Sequence, residues 1–178
     1  MRKLNYVIAA SLDGLVARRD GSFEDFLMEG PHVTDFLETV AAHDTVLMGR
    51  HTYEVGLKYK ITNPYPTLKT YVFSRTLLES PDPAVTVVST NAAEHVRELK
   101  RQPGKDIWLC GAGSLAASLL AENLVDGVTV KVNPILLGSG IPLVFQLERT
   151  SRLKLIASKP FDNGVVTLSY RVEQAQGA

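Results

Sequence analysis

The chain has 178 residues, 45% of them hydrophobic, and its 19 basic and 19 acidic side chains leave no formal net charge. That length and composition favour one domain with a real core, and the balanced charge argues against a nucleic-acid partner. A single cysteine, Cys110, excludes an internal disulfide, the four histidines lack short metal-ligand spacing, and no apolar run reaches membrane-spanning length. With no signal-peptide pattern at the N-terminus, the expected location is cytoplasmic.

Residues 4–10 form a short apolar run bounded by Ser11-Leu12-Asp13-Gly14, which predicts a buried strand and a turn. Residues 18–31 are polar and predict a loop. Val33, Phe36, Leu37, Val40 and Ala41 recur at helical spacing and predict one apolar helix face. A strand is expected at 45–48, ended by Gly49-Arg50, and then a short helix at 51–56. Two further strands are expected at 70–73, ending in Ser74-Arg75, and at 85–88. Asn91 with Glu94 resembles a capping box for a helix that turns Ala92, Val96 and Leu99 inward and stops at Pro103-Gly104. Residues 107–110 predict a strand, Gly111-Ala112-Gly113-Ser114 a turn, and Leu115, Leu119 and Leu120 the inner face of a helix closing near Asn123.

The pattern then changes. Val128, Val130 and Val132 alternate with Thr129, Lys131 and Asn133, as in a half-exposed strand. Leu153 and Leu155 alternate with charged residues, as Val166, Leu168, Tyr170 and Val172 do with polar ones, and Asp162-Asn163-Gly164 supplies a hairpin turn between the two runs. The sum is an α/β fold with a mixed, mostly parallel central sheet, helices on both faces and a C-terminal antiparallel hairpin. Residues 1–173 read as one domain and residues 174–178 as a disordered tail.

Three strands end in small or cationic residues: Gly49-Arg50-His51-Thr52, Ser74-Arg75, and Gly111-Ala112-Gly113-Ser114. In open α/β sheets ligands bind beyond the carboxyl ends of the strands, and a helix N-terminus there offers free N–H groups to a phosphate. Arginine forks add charge suited to a 2′-phosphate. Residues 111–116 also fit the G-x-G-x-x-G/A fingerprint. The acid that a Rossmann domain needs about 20 residues on is missing, because Asn133 holds that place. The Rossmann reading is rejected and the phosphate site kept.

These pieces together resemble the dihydrofolate reductase superfamily, most closely the branch containing the pyrimidine reductase domain of riboflavin biosynthesis. The resemblance rests on Ser11-Leu12-Asp13-Gly14, residues 48–54, Phe73-Ser74-Arg75, residues 111–115 and residues 134–143, in family order over nearly the whole chain. It implies a dihydrofolate reductase-like three-layer fold and NADPH as cofactor. Cofactor-binding roles fall on Gly49, Arg50, His51, Thr52, Ser74, Arg75, Gly111, Ala112, Gly113, Ser114 and Leu115. The implied activity is hydride transfer to a flat pyrimidine- or pterin-like heterocycle, similar to 5-amino-6-(5-phosphoribosylamino)uracil reductase. The alternatives are a non-catalytic NADPH-binding sensor or a flavin-binding module on the same fold.

Two departures bear on the substrate. Cys110 stands where the riboflavin-pathway reductases carry a substrate-contacting glutamate, and the helix over residues 32–42 has no arginine but carries Asp35 and Glu38. Asp13, Glu24, Asp25 and Asp35 are candidate acids, and Asp13 is the expected proton donor, with a turn residue bonded to its own backbone as the alternative. Phe26, Asp35 and Tyr53 are the expected substrate contacts. The apolar stretches 134–137 and 141–145 beside the late strands predict a homodimer.

Overall fold

The structure is a computed structural model and describes residues 1–173; the tail expected over 174–178 lies outside them. The elements in chain order are β1 (Leu4–Ser11), β2 (Leu15–Ala17), α1 (Pro31–Ala41), β3 (His43–Gly49), α2 (Arg50–Lys58), β4 (Lys69–Phe73) and β5 (Val85–Val88). Then come α3 (Ala92–Arg101), β6 (Asp106–Cys110), α4 (Ser114–Ala121), β7 (Gly127–Asn133), β8 (Ile141–Pro142), β9 (Arg152–Pro160) and β10 (Val166–Glu173).

Eight strands form one sheet in the order β5-β4-β3-β6-β1-β7-β10-β9. The first six run parallel, and β10 turns antiparallel against both β7 and β9. This is the mixed, mostly parallel sheet expected from the sequence, and it has the dihydrofolate reductase-like architecture. Parallel strands covered on both faces need near-continuous apolar runs. Val46, Leu47, Met48, Ile107, Trp108 and Leu109 supply them, each almost wholly buried.

Helices cover both faces. On one, α3 and α4 bring Val96, Leu99, Ala116, Leu119 and Leu120 against Leu4, Tyr6 and Leu47. On the other, Phe36 and Val40 of α1 and Tyr53 and Leu57 of α2 close over Val7, Val46, Met48 and Trp108. The capping expectation for α3 holds, with Asn91 Oδ1 accepting from the Glu94 backbone N–H at 3.3 Å.

The helix face read from residues 33–41 needs correction. Leu37 is 59% exposed, while His32, a polar residue, is fully buried. His32 is held by Leu27 O at 2.9 Å and by Asn163 Nδ2 at 2.9 Å, so its two ring nitrogens are satisfied inside the protein. A second feature was not foreseen. The stretch 141–145, read as apolar loop, starts with β8, which pairs with β2 as a separate two-stranded antiparallel sheet. Among the described residues no helix is long and apolar enough to cross a membrane.

Candidate functional site

β3, β4 and β6 are neighbours and parallel, so their carboxyl ends lie along one edge. The register sets Gly49 opposite Phe73, and Met48 opposite Cys110. Three predicted segments therefore meet: the start of α2, the Ser74-Arg75 turn, and the glycine-rich turn before α4. Contact between the first and third is direct. A Cβ on Gly111, whose φ is +89°, would collide with the Thr52 side chain, so this backbone is closed to any residue but glycine.

Two helices begin at this edge, and both have glycine N-caps with no side-chain capping bond: Gly49 for α2 and Gly113 for α4. By contrast, α3 is capped by Asn91, and α1 begins with Pro31, which has no N–H to offer. No side chain caps the N–H groups at the starts of α2 and α4, where the positive ends of two helix dipoles lie; Gly113 is also held beside Val144 by an isolated backbone bridge. A Cβ on Gly49 or Gly113 would meet no atom within 4 Å, so the space in front of both is open.

The cations stand where the sequence suggested. Arg50 is half-buried and gives one N–H to Glu54 Oε1 at 3.1 Å. His51 is 87% exposed in its side chain and lies 3.5 Å from the same carboxylate. Ser74 Oγ accepts from the N–H groups of Thr76 and Leu77 at 3.1 and 2.8 Å, which fixes the turn that carries Arg75. Arg75 is exposed and forms no ion pair among the described residues. Ala112 and Leu115 are half-buried in the turn and first helical turn, and Ser114 is exposed.

Asp13, the expected proton donor, is engaged in the structure as a hydrogen-bond acceptor. Its carboxylate accepts from Ser11 Oγ, from Gly138 N–H at 2.7 Å and from Leu137 N–H at 3.1 Å. These bonds hold its pKa down to about 2, so it is ionised at neutral pH and has no proton to give. Its work is to fasten the β1 turn to the loop after β7, beside Leu12 N–H to Ile135 O and Leu143 N–H to Gly14 O.

The three expected substrate contacts are also placed elsewhere. Tyr53 is fully buried, and its hydroxyl donates to Thr62 O at 2.6 Å. Phe26 is buried. Asp35 is paired with Lys159 Nζ across α1 and β9, in a shallow surface groove with Thr34, Glu38 and Phe161. All three were chosen by residue type; in the structure Tyr53 and Phe26 are buried and Asp35 is ion-paired.

A different cluster borders the carboxyl edge on the α1 face. Trp108 forms its floor, with its indole N–H given to Val7 O at 2.9 Å. Phe36 and Tyr65 stand edge-on to it, with ring centres 5.8 and 4.6 Å away. Tyr65 Oη lies 3.8 Å from Cys110 Sγ. Lys131 Nζ sits 5.2 Å above the Phe36 ring. Phe36, Tyr65, Cys110 and Lys131 are all half-buried, as is Ala9, which is in register with Lys131. Burial pushes the Cys110 thiol up to about 12 and raises Tyr65 as well, so neither ionises near neutral pH. Lys131 is shifted the other way: burial disfavours its charged form and lowers its pKa.

Sequence reasoning missed Tyr65 and Lys131. Tyr65 falls in a proline-flanked loop with no periodicity to mark it. Lys131 was assigned to a solvent-facing side of β7, yet that strand lies between β1 and β10 and faces α1.

The model of the RibD C-terminal domain family matches residues 2–167. The Bacillus subtilis (strain 168) protein YwjB is 36% identical over 168 residues, covering 92% of this chain and 95% of YwjB. A solved structure from Shewanella sp. PV-4, whose name attaches it to riboflavin biosynthesis, is 25% identical with a TM-score of 0.84, covering 97% of this chain and 99% of that one. The fold is shared with Enterococcus faecalis dihydrofolate reductase complexed with NADP(H), at 15% identity and a TM-score of 0.69, with 97% of each chain covered.

Proposed function

The chain belongs to the RibD C-terminal domain family, and on that footing we propose that it is an NADPH-dependent reductase of a flat heterocycle. The activity would be similar to that of 5-amino-6-(5-phosphoribosylamino)uracil reductase. The observation that carries this reading is the pair of uncapped, glycine-started helices at one sheet edge, flanked by Arg50 and Arg75. Phosphates need donors that no side chain has already taken, and those two N-termini would supply them.

The turn at residues 111–115 would hold the pyrophosphate, with Gly49, Arg50, His51 and Thr52 on its other side. Ser74 and Arg75 would hold a 2′-phosphate. When bound, the dinucleotide supplies a hydride, and the protein's own contribution is orientation and exclusion of water. The half-buried rings of Phe36 and Tyr65 would offer an apolar face for a flat ring beside the carboxyl edge, with the buried Trp108 packed behind them. Cys110 stays a neutral thiol there and can donate only weakly.

A second reading, a non-catalytic NADPH-binding sensor, draws on one observation: the Asp13 carboxylate is already taken up by three donors, and none of Phe36, Tyr65, Trp108, Cys110 and Lys131 is a carboxylic acid. Titration with NADPH and NADH tests the cofactor, and NADPH oxidation with pterins and aminopyrimidines separates enzyme from sensor. NADPH is expected to bind more tightly than NADH. Arg75→Ala should remove most of the difference, on the order of 1.5–3 kcal/mol for a lost charged hydrogen bond. Equal affinity of the unaltered protein for the two dinucleotides would overturn the assignment of Arg75.

A further inference from the structure

Among the described residues, five lysines and arginines are not solvent-exposed: Arg2, Arg50, Arg97, Lys100 and Lys131. Four of them have carboxylate partners. Arg2 meets Asp44, Arg50 meets Glu54, Arg97 meets Glu94 and Glu122, and Lys100 meets Asp126. Lys131 has none, and its ammonium donates to no acceptor among those residues. Its one stabilising contact is the face of Phe36.

The surroundings sharpen the anomaly. Lys131 lies in cross-strand register with Ala9 on β1 and Thr167 on β10, and Thr167 is in turn in register with Lys159 on β9. This row runs beneath α1. Lys159, at the exposed end, is neutralised by Asp35. The next residue of α1, Phe36, reaches Lys131 and offers a ring in place of a carboxylate. A partly desolvated charge without a counter-ion costs stability, and an apolar side chain of the same length would fill the position without that cost.

We propose that Lys131 sets the ligand class of this face by pairing with an anionic oxygen on a planar ring that lies against Phe36 and Tyr65. The oxygen can belong to a carboxylate on the ring or to an ionised ring oxygen; the shared chemistry is a negative charge in the ring plane. This inference rests on reading that face as the substrate side of the proposed reductase. Burial weakens the hold of Lys131 on its proton, and an incoming anion favours the charged form and supplies the ion pair it lacks in a poorly solvated place.

Calorimetric titration with three pyrimidines tests it: orotate, with a ring carboxylate; barbiturate, with an ionised ring oxygen; and uracil, which is neutral. Each is run with and without NADPH. At least one of the two anions is expected to bind tenfold or more tightly than uracil, and which one identifies the source of the charge. Lys131→Met should abolish that preference, leave NADPH affinity unchanged and raise the melting temperature. Lys131→Arg should keep the preference. Equal binding of all three rings, no binding of either anion at millimolar concentration, or a preference that survives in Lys131→Met would overturn the proposal. A lowered melting temperature in Lys131→Met would assign the residue to structure instead. The two readings fail separately: loss of NADPH binding with the anion preference intact sinks the reductase, and the converse sinks Lys131.

Discussion

Asp13 shows how a residue of the right type in the right place can have another task. Its carboxylate serves three donors, two of them backbone N–H groups of the loop after β7. Its pKa in the folded protein is depressed to about 2 from 3.8. The fastening it provides is therefore complete above the ordinary carboxylate value and is lost as the pH falls toward 2. Asp13→Asn leaves one acceptor oxygen for three donors. Hydrogen exchange of the Leu137 and Gly138 amides should quicken, and any pH dependence of activity in the neutral range should stay where it was. A shifted neutral pH profile would restore Asp13 to catalysis. At this scale the sequence was half legible. The glycines and arginines at strand ends could be read from the sequence as one cluster, and the parallel register of β3, β4 and β6 brings them to one edge. Burial and pairing were not legible: Tyr53 and Phe26 are buried and Asp35 is paired with Lys159, while Phe36, Tyr65 and Lys131 are half-buried together, and residue type alone tells none of this.

The helices divide by how they begin. Asn91 closes the N-terminus of α3 with its own side chain, whereas α2 and α4 start at glycine and have no side-chain cap. A capping residue at Gly49 would stabilise the free protein and spoil the site. The backbone there is extended, at φ −80° and ψ 163°, and a side chain would meet no neighbour. Gly49→Asp should accordingly add a few tenths of a kcal/mol to stability, read from the denaturant midpoint. It should also weaken NADPH binding by tenfold or more, because a carboxylate would occupy the phosphate's donors and repel its charge. Unchanged NADPH affinity would show that the α2 N-terminus takes no part. Elements of this kind are the most legible part of the fold. Apolar runs gave the buried strands, and the four helices were read from apolar spacing in α1, α3 and α4, the Asn91–Glu94 cap of α3, and for α2 the segment after Gly49-Arg50. Apolar spacing was less reliable about facing: Leu37 fitted the apolar stripe of α1 and is exposed, because α1 lies on the sheet through Phe36 and Val40 and buries His32 at its start.

For the whole molecule, the sheet has two edges of unlike character. At one, β5 is four residues long. At the other, β9 is nine residues long, every one of them exposed, with Leu153, Leu155 and Ile156 at 43%, 52% and 60%. A long, apolar, unpaired edge is an aggregation hazard unless something covers it. The expected cover is a second copy of the chain, giving a homodimer. Light scattering at micromolar concentration checks this, and a mass near 19.5 kDa would rule it out. The strand order carries a further consequence, for synthesis. β1 leaves the ribosome before either of its sheet partners, β6 and β7, which come about a hundred residues later. At typical translation rates of about 5–20 residues per second, its apolar strand waits roughly ten seconds for a neighbour. β3, β4 and β5 can pair with one another as they emerge, but the centre of the sheet waits for β6 and β7, and residues 4–11 must be kept from pairing with anything else until then.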